Sequence, residues 1–238
     1  MLYYITDRAA FAGDEPDRRR QLLDKIAEAA RCGVDYIQLR EKDLSTRELE
    51  RLTREALTAV AKAQQLTTGH RQLATALLIN SRTDVALATG AHGVHLRSED
   101  VSAGQVRTIW QRSASERSVG KCGAGTLARE TSPRRPIVAI SCHSPAELAQ
   151  AAASAADFAV FAPVFEKKDA PAARPAGLGT LKEACGFRIP VLALGGITLE
   201  NAQSCLDAGA AGIAAVRLFQ ENDIATLVEK LRSFSRSV

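Results

Sequence analysis

The strongest constraint on the fold is the alternation of short apolar runs with longer amphipathic stretches. The runs are residues 2–6, 36–40, 76–80, 93–96, 137–141, 158–163, 191–194 and 212–216. Helical periodicity follows them at residues 18–32, 46–65, 84–89, 103–111, 146–154, 178–185, 199–208 and 224–234. Continuous apolar runs are typical of parallel strands covered by helices on the outside. Eight strand-then-helix units therefore predict a closed (β/α)8 barrel, an α/β fold also called a TIM barrel.

The length fits one barrel. The chain has 238 residues, of which 46% are hydrophobic, so a single domain over residues 1–238 can bury a sizeable core. The alternative fold is an open doubly wound sheet, which is less favoured because no Gly-x-Gly-x-x-Gly pattern follows the first run. Residues 112–135 are rich in Arg, Ser and Gly and are interpreted as an inserted loop on the face away from the chemistry.

Composition excludes several classes of function. The net charge is only +4 and aromatic residues make up 5%, without the basic stripe of a nucleic-acid-binding protein. The five cysteines form no Cys-x-x-Cys pair, which predicts reduced thiols in the cytoplasm. No apolar stretch reaches membrane-spanning length and no signal-peptide pattern opens the chain. We expect a cytoplasmic protein with no membrane or nucleic-acid partner, and the sequence leaves homo-oligomerisation open.

In barrels of this kind the chemistry lies at the carboxyl ends of the strands, so the residues after each run are the candidates. After the second run, Gln38 and Arg40 share one face of the strand and Lys42 comes just beyond. An amide, a guanidinium and an ammonium group together predict a clamp for an anion such as phosphate. Alone, this segment also fits an ordinary charged surface loop.

Polar residues also follow the third and fourth runs. Asn80 ends the third run, where its amide is either part of the site or a buried group that hydrogen-bonds at the strand end. Asp84 is interpreted as the cap of the next helix. Glu99 and Asp100 follow the fourth run, where hard oxygen ligands could hold Mg²⁺ or simply cap a helix.

The fifth run ends in Ser141, Cys142 and His143. Neighbouring side chains point in opposite directions at a strand end, so we expect Cys142 to be packed and His143 to be the candidate for proton transfer. After the sixth run, Lys167 and Lys168 fit either a flap that closes over phosphate or a solvated loop.

The strongest single signal follows the seventh and eighth runs. Gly195 and Gly196 end the seventh, and Val216 and Arg217 end the eighth. Phosphate groups commonly bind at these two positions of a barrel, and glycine lets the backbone approach closely. We predict a phosphate site here, although a glycine pair also occurs in tight turns.

The ordered set of segments resembles the thiamine phosphate synthase family, which includes the related thiazole tautomerases. The segments are Tyr4-Ile5-Thr6-Asp7, Ile37-Gln38-Leu39-Arg40-Glu41-Lys42, Gly93-Val94-His95-Leu96 with Glu99-Asp100, Pro163-Val164-Phe165, and Ala193-Leu194-Gly195-Gly196-Ile197-Thr198 with Asn201. Together they span nearly the whole chain in the family's order.

The resemblance implies a reaction in which an aminopyrimidine diphosphate and a thiazole phosphate are joined, with release of diphosphate. It also implies a role for each candidate residue. Arg40, Lys42 and Asn80 would hold the diphosphate with Mg²⁺, and Gln38 and Ser141 would orient the pyrimidine. Lys168 would be a flap cation, and Gly195, Gly196, Val216 and Arg217 would hold the thiazole phosphate.

The metal corner departs from the family's pattern. Ser81 stands where synthases usually have an acid directly after the Asn, so only Asp100 of the expected pair remains and Mg²⁺ affinity should fall. The loop after the sixth run lacks the family's Thr-rich segment, and Arg217 replaces a small hydroxyl residue. Lys42 and Pro163 favour the synthase, whereas Ser81 favours the tautomerase, in which His143 would move a proton. A non-catalytic binder of phosphorylated ligands is the third hypothesis.

Overall fold

A computed structural model of the chain describes residues 1–66, 74–119, 135–166 and 174–234. Eight parallel strands form a closed barrel in chain order, and the last strand pairs with the first. The strands are β1 (Leu2–Ile5), β2 (Tyr36–Leu39), β3 (Ala76–Asn80), β4 (Gly93–Leu96), β5 (Ile137–Cys142), β6 (Phe158–Phe161), β7 (Val191–Ala193) and β8 (Gly212–Ala215). The predicted (β/α)8 barrel is confirmed, with strand ends that differ from the predicted ones by at most two residues.

Helices follow the strands and cover the barrel. They are α1 (Glu15–Arg31), α2 (Thr46–Gln65), α3 (Thr83–Thr89), α4 (Ala103–Val119), α5 (Pro145–Ala153), α6 (Gly177–Ala184), α7 (Leu199–Asp207), α8 (Arg217–Gln220) and α9 (Ile224–Phe234). A short 3₁₀ turn at Arg8–Ala10 precedes α1. Ser144 caps α5 with Pro145 in its first turn, and Thr198 forms a capping box with Asn201 at the start of α7. Among the described residues, no helix is long and apolar enough to cross a membrane.

The interpretation of residues 112–135 as a loop is wrong for its first part. Helix α4 continues through this stretch to Val119, beyond the expected end at residue 111. No glycine or proline interrupts the chain between Gly104 and Gly120, so nothing in the sequence stops the helix earlier. The inserted segment is therefore shorter than the composition indicated.

Two apolar layers hold the barrel together, as expected for strands whose side chains alternate between two faces. The inner layer fills the barrel with Tyr3, Ile5, Leu78, Ala139, Phe158, Val160, Leu192 and Ala214. The outer layer packs the alternate strand residues against the helices. Bulky rings fill the lower barrel, where the Tyr3 and Phe158 rings meet edge to face with centroids 5.5 Å apart. The barrel is thus a packed core, and barrels of this kind bind their ligands at the carboxyl-end mouth.

Candidate active site

The strand register brings the predicted polar residues of β2, β3 and β4 to one level. Gln38 pairs with Leu78 across β2 and β3, and Asn80 pairs with His95 across β3 and β4. The Gln38 amide nitrogen donates to Asn80 Oδ1 at 2.8 Å. This bond fixes the Gln38 side chain, which is 2% exposed inside the barrel. Two of the predicted substrate-binding residues therefore form one unit at the mouth.

A buried carboxylate anchors the loop that follows β2. Thr6 Oγ1 donates to Glu41 Oε1 at 2.6 Å, and the Arg8 amide donates to Glu41 Oε2 at 3.0 Å. The backbone amide of Arg40 in turn donates to Thr6 Oγ1 at 3.0 Å. Burial raises the pKa of Glu41, and the hydrogen bonds from Thr6 and Arg8 oppose that rise. The end of β1 thus fixes the backbone that carries Arg40 and Lys42.

Arg8 completes this anchor from the other side. Its guanidinium lies 3.2 Å from Glu41 and makes a two-pronged contact with Asp43, at 3.1 and 2.8 Å. Glu41 and Asp43 therefore turn toward the end of β1, and the cations Arg40 and Lys42 alternate with them along the chain. Sequence reasoning missed Arg8 and Glu41 because an Arg-Glu-Lys run is typical of solvated loops. The available signal was the Thr-Asp-Arg segment at the end of β1.

The two clamp cations lie close to a third. The pKa of Lys42 is lowered by the nearby Arg40 guanidinium, by partial burial and by Arg97. The same Arg40 charge reaches His95 below it. Positive charge is therefore concentrated at the ends of β2 and β4, which suits an anionic ligand.

A buried imidazole connects the barrel interior to the mouth. His95 Nδ1 lies 2.9 Å from the Tyr3 hydroxyl, and His95 Nε2 lies 2.7 Å from Ser141 Oγ. Burial, with a contribution from Arg40, lowers the pKa of His95 to about 3 against the opposing effect of Asp100. The ring is therefore neutral at physiological pH. Sequence reasoning placed His95 in a motif without giving it a role.

The hydrogen bonds of Tyr3 fix the tautomer of this ring. Within the described part of the chain, the buried Tyr3 hydroxyl has no acceptor other than His95 Nδ1, so it donates there. The proton of the neutral ring must then be on Nε2, which donates to Ser141 Oγ. The Ser141 hydroxyl proton consequently remains for a ligand at the mouth.

Cys142 and His143, at the end of β5, differ in burial as expected. Cys142 is fully buried, and burial together with Glu147 raises the pKa of its thiol to about 12, which excludes a nucleophile at neutral pH. His143 is exposed, and its Nδ1 lies 2.7 Å from the carbonyl of Ala162. Because a carbonyl only accepts, Nδ1 carries a proton, and Nε2 is the ring atom that is left to exchange a proton with a ligand.

Ser81 and Asp100 meet at the predicted metal corner. Ser81 has a left-handed backbone with φ of 55°, and its hydroxyl is buried without a hydrogen bond of ordinary geometry to any described residue. Both oxygens of Asp100 accept from Arg97, Oδ2 from the amide at 2.8 Å and Oδ1 from the guanidinium at 3.0 Å. Partial burial opposes ionisation of Asp100, but these bonds and the nearby Ser81 hydroxyl hold its pKa below the usual value.

This donor set does not fit a resident Mg²⁺ ion. One carboxylate already paired with a guanidinium and one neutral hydroxyl provide little negative charge, and Mg²⁺ prefers carboxylate and phosphate oxygens. Groups of three or more His, Cys, Asp or Glu side chains that could hold a metal are absent from the described residues. The predicted ligands Asp100 and Ser81 are therefore adjacent but poorly matched to the ion.

Asp84 does not cap α3, contrary to expectation. The N-cap position belongs to Arg82, whose guanidinium contacts Asp84 at 2.9 and 2.6 Å in the first turn of the helix. Helix α3 begins at Thr83, so Asp84 lies inside its first turn, where it pairs with Arg82 instead of capping the helix.

The glycine pair has a clear backbone requirement. Gly195 and Gly196 have φ of 99° and 64°, and a Cβ on Gly196 would lie 2.4 Å from the Glu166 carbonyl oxygen. Because Ala193 pairs with Ile213, the ends of β7 and β8 bring this pair beside Val216 and the start of α8 at Arg217. The four predicted phosphate-binding residues thus lie on adjacent strand ends. Lys168, the predicted flap cation, and its neighbour Lys167 lie outside the described residues.

Comparison with known proteins agrees with this geometry. A family model described as thiamine monophosphate synthase matches residues 2–115 and 123–219. The chain belongs to the thiamine monophosphate synthase family. The matched residues include the carboxyl ends of all eight strands.

Relatives of this family align over most of their length. The chain is 35% identical to a "Putative thiamine-phosphate synthase 2" of Aquifex aeolicus, over 92% of this chain and 97% of that protein. It is 32% identical to a "Thiamine-phosphate synthase" of Syntrophomonas wolfei, over 97% and 94% respectively. A solved thiamine phosphate pyrophosphorylase from Pyrococcus furiosus superposes with a TM-score of 0.70 at 26% identity, covering 98% of this chain and 94% of that one.

Proposed function

We propose that this chain is a thiamine phosphate synthase, a transferase that joins an aminopyrimidine diphosphate to a thiazole phosphate. The observation that carries the proposal is that buried hydrogen bonds of Glu41, Arg8 and Thr6 anchor the backbone that carries Arg40 and Lys42. A clamp held in place by buried hydrogen bonds is preorganised for an anion and loses little entropy when the anion binds. The family relationship supports the same activity.

The proposed reaction begins with loss of diphosphate from the pyrimidine. The bond between the methylene carbon and the bridging oxygen breaks, and its electron pair leaves with the diphosphate. Arg40, Lys42 and Asn80 hold the oxygens on which negative charge develops, so the clamp stabilises the transition state more than the ground state. The thiazole nitrogen then donates its lone pair to the methylene cation and forms the new carbon–nitrogen bond.

The remaining candidates position the two substrates. The neutral Gln38–Asn80 pair and the Ser141 hydroxyl suit the polar edge of an aminopyrimidine, because an amide and a hydroxyl can both donate and accept. We assign the thiazole phosphate to Gly195, Gly196, Val216 and Arg217, since these residues meet at adjacent strand ends opposite the clamp. Lys168 is proposed as the flap cation on the strength of the resemblance alone.

The family's Mg²⁺ ion supplies charge that stabilises a departing diphosphate. In this chain Asp100 and Ser81 would be its ligands, but Asp100 is already paired with Arg97 and a second acid is missing, which disagrees with that role. No step proposed here depends on the ion.

A direct assay tests the proposal. The two substrates are mixed with purified protein, with Mg²⁺ or with a chelator, and thiamine phosphate is measured by its conversion to fluorescent thiochrome. Lys42→Gln should lower kcat/KM by about tenfold or more, because a charge contact to a reacting phosphate is lost. Lys62→Gln, on the outer helix α2, is the matched control and should leave the rate unchanged. No product from folded wild-type protein would refute synthase activity.

One observation favours a second candidate, thiazole phosphate tautomerase. The Ala162 carbonyl holds a proton of His143 on Nδ1, which leaves Nε2 to exchange a proton with a ligand after β5. A tautomerase would isomerise the thiazole phosphate without a pyrimidine, and His143→Asn would abolish that turnover. A synthase would retain most of its activity in the same variant, so the two activities separate.

We also infer that the barrel is one domain over the whole chain. The terminal amino group of Met1 contacts the Ala211 carbonyl at 2.7 Å, and β1 pairs with β8. A single cooperative unfolding transition by two spectroscopic probes is the expected result, and two separated transitions would contradict it.

A further inference from the structure

Arg97 occupies the corner where the family resemblance leads one to expect a metal ion. Its guanidinium and its backbone amide take one oxygen each of Asp100. Asp100 is largely buried, with 13% of its side chain exposed, whereas Arg97 is 64% exposed toward the mouth. The buried Asp100 carboxylate therefore orients the exposed Arg97 guanidinium.

The charges around this corner favour an anion over a cation. Arg40 and Arg97 both lie close enough to Lys42 to lower the pKa of its ammonium group. Three cations thus face Asp100 and the exposed Glu99, and the position of a further acid is taken by Ser81. The net positive charge of this corner repels a divalent cation and attracts a diphosphate, which is negatively charged.

The corner also offers hydrogen bonds suited to phosphate oxygens. A guanidinium presents five N–H donors in a plane, and the single bond to Asp100 Oδ1 leaves most of them available in this part of the site. The Ser81 hydroxyl is buried beside Asp100 and helps to hold that carboxylate ionised, so it supports the base of the site and not the ligand. An Mg²⁺ ion cannot use the guanidinium, which has no lone pair to donate to a metal.

We propose that Arg97, oriented by Asp100, replaces the divalent cation, so that diphosphate binds to Arg40, Lys42 and Arg97 without metal. Asp100 is then a positioning residue and not a metal ligand. The identification of the anion as the leaving group of the substrate rests on the proposed synthase function. The binding mode itself does not depend on turnover.

Calorimetric titration with inorganic diphosphate tests this directly. Protein treated with EDTA should bind diphosphate, and excess Mg²⁺ should not tighten that binding. Arg97→Gln should weaken the metal-free Kd by about tenfold, the loss typical of one charge-assisted phosphate contact. Because Arg97 is exposed, the variant should keep the thermal unfolding midpoint of the wild-type protein.

The chain offers a closely matched control. Arg135 is 68% exposed and lies 3.2 Å from Asp157, but it precedes β5 and so lies at the opposite end of the barrel. Arg135→Gln removes the same charge from a similar ion pair, and diphosphate affinity should not change. An equal loss in both variants would show that net charge alone is responsible and would overturn the proposal.

A double variant tests the exchange of cation for metal. Ser81→Asp with Arg97→Gln provides two acids and removes the guanidinium, and Asp accepts the left-handed backbone at position 81. This variant keeps Arg40 and Lys42, so it should bind diphosphate weakly without metal and clearly more tightly when Mg²⁺ is present. Wild-type binding that requires Mg²⁺, or metal-free binding unchanged by Arg97→Gln, would overturn the proposal.

The two proposals can fail separately. Metal-free diphosphate binding through Arg97 without formation of thiamine phosphate would support this inference and refute the synthase function. Formation of thiamine phosphate only with Mg²⁺, with diphosphate affinity unaffected by Arg97→Gln, would do the reverse.

Discussion

Arg8 and Glu41 form a buried ion pair beneath the proposed diphosphate clamp, with Nη1 of the arginine 3.2 Å from Oε2 of the glutamate. The two side chains are 7% and 2% exposed, so water screens their attraction poorly. The pair joins the end of β1 to the loop after β2. The position of Arg40 and Lys42 therefore depends on residues that do not face the ligand.

Glu41→Gln should weaken both the fold and the clamp. The substitution keeps the shape of the side chain but removes the charge that Arg8 contacts, at a cost of about 2 kcal/mol. We expect kcat/KM to fall by about tenfold as well, because Arg40 and Lys42 lose their fixed backbone. Urea unfolding and steady-state kinetics measure the two effects.

Asp43→Asn is the control for that prediction. Asp43 contacts the same guanidinium but is 66% exposed, so its removal should cost less than about 1 kcal/mol. Equal losses in the two variants would mean that burial of Glu41 is not what makes the anchor strong.

His95 should make stability depend on pH. Its pKa of about 3 in the folded chain lies below the usual value of 6.5, so the unfolded chain binds the extra proton between these two values. Stability is then complete above about pH 6.5 and is lost as the pH falls, by roughly 1 kcal/mol per pH unit. Urea unfolding at pH 7.5, 6 and 5 measures this slope.

His95→Gln should remove that component of the slope, whereas His143→Asn, at an exposed position, should leave it unchanged. A wild-type slope retained in His95→Gln would show that other groups cause the acid sensitivity.

The Tyr3 hydroxyl should control the tautomer of His95. Nitrogen-15 NMR of the imidazole should show a proton on Nε2 and none on Nδ1 in the wild-type protein, because Tyr3 donates to Nδ1. Tyr3→Phe removes that donor and should give a mixture of tautomers, with a loss of about 1 kcal/mol in stability. A proton found on Nδ1 in the wild-type protein would reverse the assigned direction of the Ser141 hydrogen bond.

Gly196→Ala should be more damaging than its backbone angle alone explains. At φ of 64°, with the Glu166 carbonyl 2.4 Å from the new Cβ, the variant combines conformational strain with a backbone clash. We expect a loss of about 3 kcal/mol or more.

Gly90→Ala separates the two causes. Gly90 has φ of 75° with nothing within 4 Å of a new Cβ, so only strain of about 1 kcal/mol should remain. Comparable unfolding free energies for the two alanine variants would rule out the clash as a major cause.

The fold followed from periodicity because each buried strand is a local apolar run and each helix a local amphipathic pattern. Helix α2 was predicted with its bounds from its amphipathic pattern, and the structure adds a capping box of Ser45 and Glu48 at its start. Helix α4 was predicted too short, because a surface helix with a weak apolar face gives little periodic signal to mark its end. The positions of Gln38, Asn80 and Ser141 at the mouth followed from strand order and alternation.

The sequence by itself determined the order of the elements, the barrel, and which polar residues follow which strand. It could not distinguish Glu41, an anchor buried under the clamp, from a surface acid, because burial depends on Arg8 and Thr6 of another strand. Nor could the sequence show that Arg97 contacts Asp100, or that His95 hydrogen-bonds with Tyr3 and Ser141. These contacts form only in the folded barrel. Local patterns determine secondary structure, whereas the charge and protonation of a site depend on neighbours that the tertiary structure supplies.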